Sequence, residues 1–140
     1  MIPELVPLTI EAARKYWPYA QPLIEALRVK CNERWQVTDV WDEIEDRTAV
    51  LCVAFDEQKE PAGIIVYQVA TTAYSRDLHL WIVCENSVAR AADYWPQIRV
   101  IRDANRCNAI TFESPRRWEK AVPSLKVRYL YREEAEHVGG

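Results

Sequence analysis

The sequence predicts an α+β domain: a central mixed, mostly antiparallel sheet flanked by helices, with the element order β-α-α-α-β-β-β-α-β-α-β. Three observations predict it. The first third of the chain carries apolar residues at helical spacing. Residues 49–84 hold three consecutive apolar β runs separated by short turns. After them, a long helical stretch returns to another strand-like run, as a βαβ unit does.

ELVPL (4–8) reads as a short first strand, and Pro7 suits an edge position. Thr9 is a natural N-cap for the helix that opens IEAARKYW. Pro18 ends or restarts that helix, because both Pro18 and Pro22 fit a first turn, where a missing N–H matters least. A second helix then runs to about Lys30, with Leu23, Ile24 and Leu27 at core spacing. Thr38 can cap a third, DVWDEIED, with Val40, Trp41 and Ile44 on one face.

AVLCVAFD (49–56) and AGIIVYQVATT (62–72) form a hairpin across the charged turn DEQKEP, and RDLHLWIVC (76–84) is the next strand. A helical segment covers roughly 88–106, in which Pro96 either introduces a kink or marks the true start near Trp95. NAITFES (108–114) is a strand, RRWEKAV a short helix and KVRYLYRE (126–133) a final strand. Residues 1–133 read as one domain and 134–140 as a frayed tail.

Composition narrows the function classes. The chain has 140 residues, 49% of them hydrophobic and 28% charged, as a globular domain does. It holds no apolar run of the roughly 20 residues needed to span a bilayer, so no membrane partner is expected. The start MIPELVPLTI lacks the basic and apolar regions of a signal peptide. Cys31, Cys52, Cys84 and Cys107 form no CxxC or Cys/His cluster, which predicts reduced core thiols and no metal site.

Six tryptophans and only three glycines are unusual, and with two glycines at positions 139 and 140, Gly63 is the only one inside the fold. Charge is divided. Residues 31–60 carry nine acidic and three basic side chains, whereas 88–132 carry ten basic and four acidic ones. Nucleic acid is an unlikely partner because the basic residues are not interleaved with a stacking motif. A dipolar domain that docks on charged protein neighbours fits better.

Several side chains are candidates for chemistry. In CENSVARAAD, Asn86 and Ser87 can cap a helix and leave N–H groups for an anion, with Arg90 nearby, but Val88 and Arg90 crowd a close phosphate approach. His79 alternates with Trp81 on one strand face and is either a base or a half-exposed structural histidine. Glu43, Glu45 and Asp46 read as a solvated acidic face. Arg116, Arg117 and Trp118 suit a short helix with a core tryptophan, a protein contact or a phosphate grip. Cys84 ends a strand with no histidine beside it in sequence, which predicts an inert thiol.

The element order resembles the acyl-CoA N-acyltransferase fold of the GCN5-related family over roughly residues 4–133. That family holds the CoA pyrophosphate on a glycine-rich turn after its fourth strand, and CENSVARAAD occupies this place without the glycines. The resemblance therefore implies acetyl-CoA contacts at Asn86, Ser87, Val88 and Arg90 only if the turn still functions. A family segment resembling LYEKLGF supplies a tyrosine as general acid. Here it reads RRWEKAVPSL, and Trp118, whose indole N–H has no useful acidity, takes the tyrosine's place.

The ordered set Trp17-Pro18, Pro22-Leu23, WQVTDV (35–40), YWPQI (94–98) and ESPRRWEKAVP (113–123) is similar to small acetyltransferase-like proteins encoded by short-tailed bacteriophages beside head and tail genes. That resemblance implies a non-catalytic virion accessory protein without a cofactor. It would sit at the head–tail region in several copies, with Arg116, Arg117 and Trp118 contacting portal, adaptor or tail proteins. The alternative it leaves is an N-acetyltransferase using acetyl-CoA on a small amine or a host protein.

Overall fold

The computed structural model describes residues 4–85, 90, 92–113 and 122–127. Among the described residues five strands form one sheet: β1 (Glu4–Pro7), β2 (Val50–Phe55), β3 (Pro61–Thr71), β4 (Arg76–Glu85) and β5 (Ala109–Thr111). They lie side by side in chain order; the first three pairings are antiparallel and β4–β5 is parallel. The parallel step requires a crossover, and α3 (Trp95–Ala104) lies within it. Helices α1 (Ile10–Cys31) and α2 (Val37–Glu45) precede β2. The α+β architecture is the one the sequence predicts.

Two helices, not three, precede β2. α1 runs unbroken through Pro18 and Pro22. Each proline removes one backbone hydrogen bond, and a helix-interior proline costs about 3 kcal/mol against alanine. Packing offsets this: Ala13, Ala20 and Ile24 are buried against the sheet, and Tyr16, Trp17, Tyr19, Leu23 and Leu27 pack around them. Thr9 caps the helix as expected, its hydroxyl accepting from the Ala12 amide at 3.3 Å. Asn32 closes it in the left-handed region, at φ 52°.

α2 starts two residues earlier than the Thr38 cap implies. Gln36 is the N-cap, and the Asp39 carboxylate accepts from its amide at 2.7 Å. The helix expected over 88–106 is shorter. Residues 92–94 form a turn and α3 begins at Trp95, so Pro96 occupies the first turn, where its missing N–H leaves no bond unmade. The strand expected over 108–114 is limited to Ala109–Thr111. Most of RRWEKAV, most of the last strand and the 134–140 tail lie outside the described residues.

Strand alternation sends two cores to opposite sides of the sheet. On one side Cys52, Ala54, Ile65, Tyr67, Leu78 and Leu80 pack against Tyr94, Trp95, Ile98 and Ile101 of α3 and its N-cap. On the other, Leu51, Val53, Ile64, Val66 and Ile82 pack against α1 and against Val40 and Ile44 of α2. The outer strand β1 is covered: the Leu5 amide donates to Gln97 Oε1 of α3 at 2.7 Å, and Pro7 withholds a donor.

Candidate active site

The site lies where two neighbouring strands part. β4 pairs with β5 only at Asp77–Ala109, Leu78–Ile110 and His79–Thr111. Beyond this point β4 continues along β3, through Ile82–Val66, Val83–Ile65 and Cys84–Ile64. β5 ends at Thr111, and Phe112 and Glu113 belong to no strand. Among the described residues, no strand runs beside Leu80–Cys84 on the β5 side. A wedge therefore opens toward the C-terminal ends of two parallel strands, the edge where open sheets with parallel strands characteristically bind ligands.

A β-bulge sits at the mouth of the wedge. Val66 pairs with Ile82 but Tyr67 pairs with Leu80, so Trp81 has no opposite number on β3. The extra residue shifts the alternation. Leu78 and Leu80 enter the α3-side core, while Trp81 and Ile82 both enter the α1/α2-side core, and Val83 and Cys84 then alternate again. Trp81 is held edge-on by Trp35, from the segment joining α1 and α2, with ring centroids 5.8 Å apart. On the α3 side, Phe112 packs on Trp95 at 5.8 Å.

His79 stands at the apex, half-buried, and its Nδ1 shares a hydrogen bond of 3.0 Å with Thr111 Oγ1. The partner that sequence alone could not place is thus a hydroxyl on the neighbouring strand. Below β4, Tyr94 is fully buried at the N-cap of α3, and its hydroxyl has no hydrogen-bond partner among the described residues. Burial, reinforced by the Glu85 carboxylate, pushes its pKa up. Asn105 reaches the Tyr67 hydroxyl at 3.4 Å.

Cys84 cannot serve as a nucleophile near neutral pH. Burial pushes its thiol up to about 12, with Cys31 adding in the same direction. The thiol donates to the Leu23 carbonyl at 3.6 Å.

Of the residues singled out from sequence around the phosphate turn, Arg90 is described. It is exposed, and its carbonyl accepts from the Asp93 amide at 2.8 Å in the turn before α3. Asn86, Ser87 and Val88 lie outside the described residues, as do Arg116, Arg117 and Trp118. Thr111, Trp81 and Tyr94 were not legible as site residues. The available signal was the break in alternation from LHL to WIVC, which is what a bulge produces. A surface cavity of about 410 Å³ lies elsewhere, between the start of α1 and the α2–β2 connection, lined in part by Leu8, Thr9, Ile44 and Arg47.

No sequence-family model matches the chain, and no curated protein sequence matches it. Solved structures do. A protein described as a "probable acetyltransferase" superposes with a TM-score of 0.68 at 10% identity, covering 98% of this chain and 99% of its own. The ribosomal-protein-alanine N-acetyltransferase of Brucella melitensis biovar Abortus 2308 gives 0.63 at 11% identity, covering 98% and 99%. Glucosamine-6-phosphate N-acetyltransferase from Arabidopsis thaliana gives 0.61 at 14%, covering 95% and 99%. At such identities the likeness carries the fold, and the fold is that of the GCN5-related N-acetyltransferases.

Proposed function

We propose that this chain binds an acyl-CoA in the β4–β5 wedge and acts as an N-acyltransferase on an amine. The observation that carries this reading is the parting of the strands after His79–Thr111, with the Trp81 bulge beside it. Leu80–Cys84 present about 16 Å of strand edge, at roughly 3.3 Å per residue. Alternate amides and carbonyls along such an edge suit an extended, amide-bearing chain by strand addition, and the pantetheine arm of CoA is one. Arg90, with Asn86, Ser87 and Val88, would meet the pyrophosphate end.

The thioester would supply an activated acyl carbon. His79 is the candidate base. With Nδ1 engaged by Thr111, Nε2 is left to take the proton that an attacking amine gives up. In that transfer a C–N bond forms, the C–S bond breaks and the thiolate leaves with CoA. Calorimetric titration with acetyl-CoA tests the reading: micromolar binding is expected, and no heat at millimolar ligand overturns it.

A second reading has its own observation. Gly63 is the one interior glycine, and Trp118 stands where a general-acid tyrosine is expected. Those losses favour a catalytically silent scaffold serving as a phage virion accessory protein, with Arg116, Arg117 and Trp118 against portal, adaptor or tail proteins. Mass spectrometry of purified particles separates the two, because this second reading requires the chain in the virion.

A further inference from the structure

We infer that copies of this chain associate head to tail, with α2 of one molecule against α3 of the next. The inference is independent of acyl-CoA binding, and either can fail alone.

The two helices carry matching stripes of opposite charge. On α2 and its C-cap, Asp39, Asp42 and Asp46 are exposed at the spacing i, i+3, i+7. On α3 and the turn that follows, Arg99, Arg102 and Arg106 repeat that spacing; Arg99 and Arg106 are exposed and Arg102 is half-buried. Residues three and four apart share a helix face, so Asp39, Asp42 and Asp46 make one surface and Arg99 and Arg102 another, with Arg106 just past the end of α3 in the left-handed region at φ 55°. Arg76 extends the basic stripe, its Nε donating to the Asn105 carbonyl at the end of α3 at 3.0 Å. Val100, 66% exposed, adds an apolar patch to the outer surface of α3.

Local partners engage only part of these charges: the Asp39 carboxylate accepts from the Gln36 amide at 2.7 Å in the cap of α2. Arg102 meets Asp103 at 2.9 Å, and Arg99 donates to Ser124 Oγ at 3.1 Å. Contacts so exposed to solvent are weak and exchange readily. The geometry also sets the symmetry. α2 buries Val40 and Ile44 on one side of the sheet, whereas α3 buries Trp95, Ile98 and Ile101 on the other. The outward stripes therefore face away from each other. A two-fold dimer cannot satisfy both, but a head-to-tail contact can, and repeating it closes a ring or extends a filament. Complementary charge favours a second copy over a partner of uniform sign.

Sedimentation velocity of the full chain tests this. At about 20 mM salt the screening length is about 20 Å, and at about 500 mM it is about 4 Å. Multimers are expected in the first condition and monomers in the second. R99E/R102E and D42K/D46K should each sediment as monomers at low salt, with at least a tenfold fall in the self-association constant. An equimolar mixture of the two should assemble again. The milder R99Q/R102Q, checked for native circular dichroism, should weaken association in the same direction. A wild-type chain that stays monomeric at low salt overturns the inference. So does a mixture of folded reversed variants that stays monomeric.

Discussion

The two halves of β4 differ in their neighbours. From Asp77 to His79 the strand has a neighbour on each side, β3 and β5. From Leu80 onward it keeps β3 and parts from β5, and the change coincides with the extra residue at Trp81. A bulge increases local twist and bends its strand, so one inserted residue turns a closed sheet into a wedge. The first half is scaffold, with Leu78 at the centre of a core. The second half is still anchored by Ile82 and Cys84, yet one of its edges faces the wedge. A site placed there is rigid on one side and open on the other, which is what a preorganised site requires.

The comparison can be broken first at its apex. His79→Gln should lower acyl transfer by about 100-fold or more, the scale of a lost general base, and leave the KM for acetyl-CoA within a factor of a few. Steady-state kinetics at saturating amine would show it; an unchanged kcat would remove His79 from the chemistry. Trp81→Ala comes next. It removes the bulged side chain and its contact with Trp35 and should destabilise the fold by about 2–3 kcal/mol, at the low end for a large aromatic because the ring is half-exposed. Urea denaturation measures this, and a loss under about 0.5 kcal/mol would show that the bulge does not depend on that packing.

Tyr94→Phe is smaller and opposite in sign. Its hydroxyl is buried without a described partner, and leaving such a group unsatisfied costs about 1–3 kcal/mol. The variant should therefore be more stable by about 1 kcal/mol, and a destabilised variant would reveal a partner for that hydroxyl.

A further effect is alkaline. Burial raises the Cys84 thiol from an ordinary value near 9 to about 12. The unfolded chain thus loses this proton before the folded one does. Stability should be flat below about pH 8 and fall as pH rises from 9 toward 12, by up to about 1.4 kcal/mol per unit from this group. Cys84→Ala should flatten part of that slope in denaturation curves at pH 7.5 and 10.5. An identical slope in both proteins would contradict the assignment.

Much of this was legible in sequence because it is local. Thr9 as a cap and the charged turn after Phe55 follow from side-chain and backbone rules, whereas for Pro96 those rules left a kink and a helix start both open. The continuity of α1 was not legible. Proline rules favour a break at Pro18, and only tertiary burial of Ala13, Ala20 and Ile24 overrides them. The wedge was not legible either, because it depends on where β5 stops and on a register that two strands share. The sequence drew attention to the turn at 86–90. Among the described residues the structure adds detail at another sequence candidate, His79 on β4, where it shows the Thr111 partner and the bulge beside it.

The most direct measurement is residue-resolved amide hydrogen exchange along β4, with and without acetyl-CoA. Without ligand, the amides of Leu80–Cys84 that face the wedge should exchange faster than those of the same strand that face β3. With ligand, protection should rise at Leu80–Cys84 and stay unchanged at Asp77–His79, already paired on both sides. Uniform protection before ligand, or binding that leaves Leu80–Cys84 untouched, would contradict the assignment of the wedge as the acyl-CoA site.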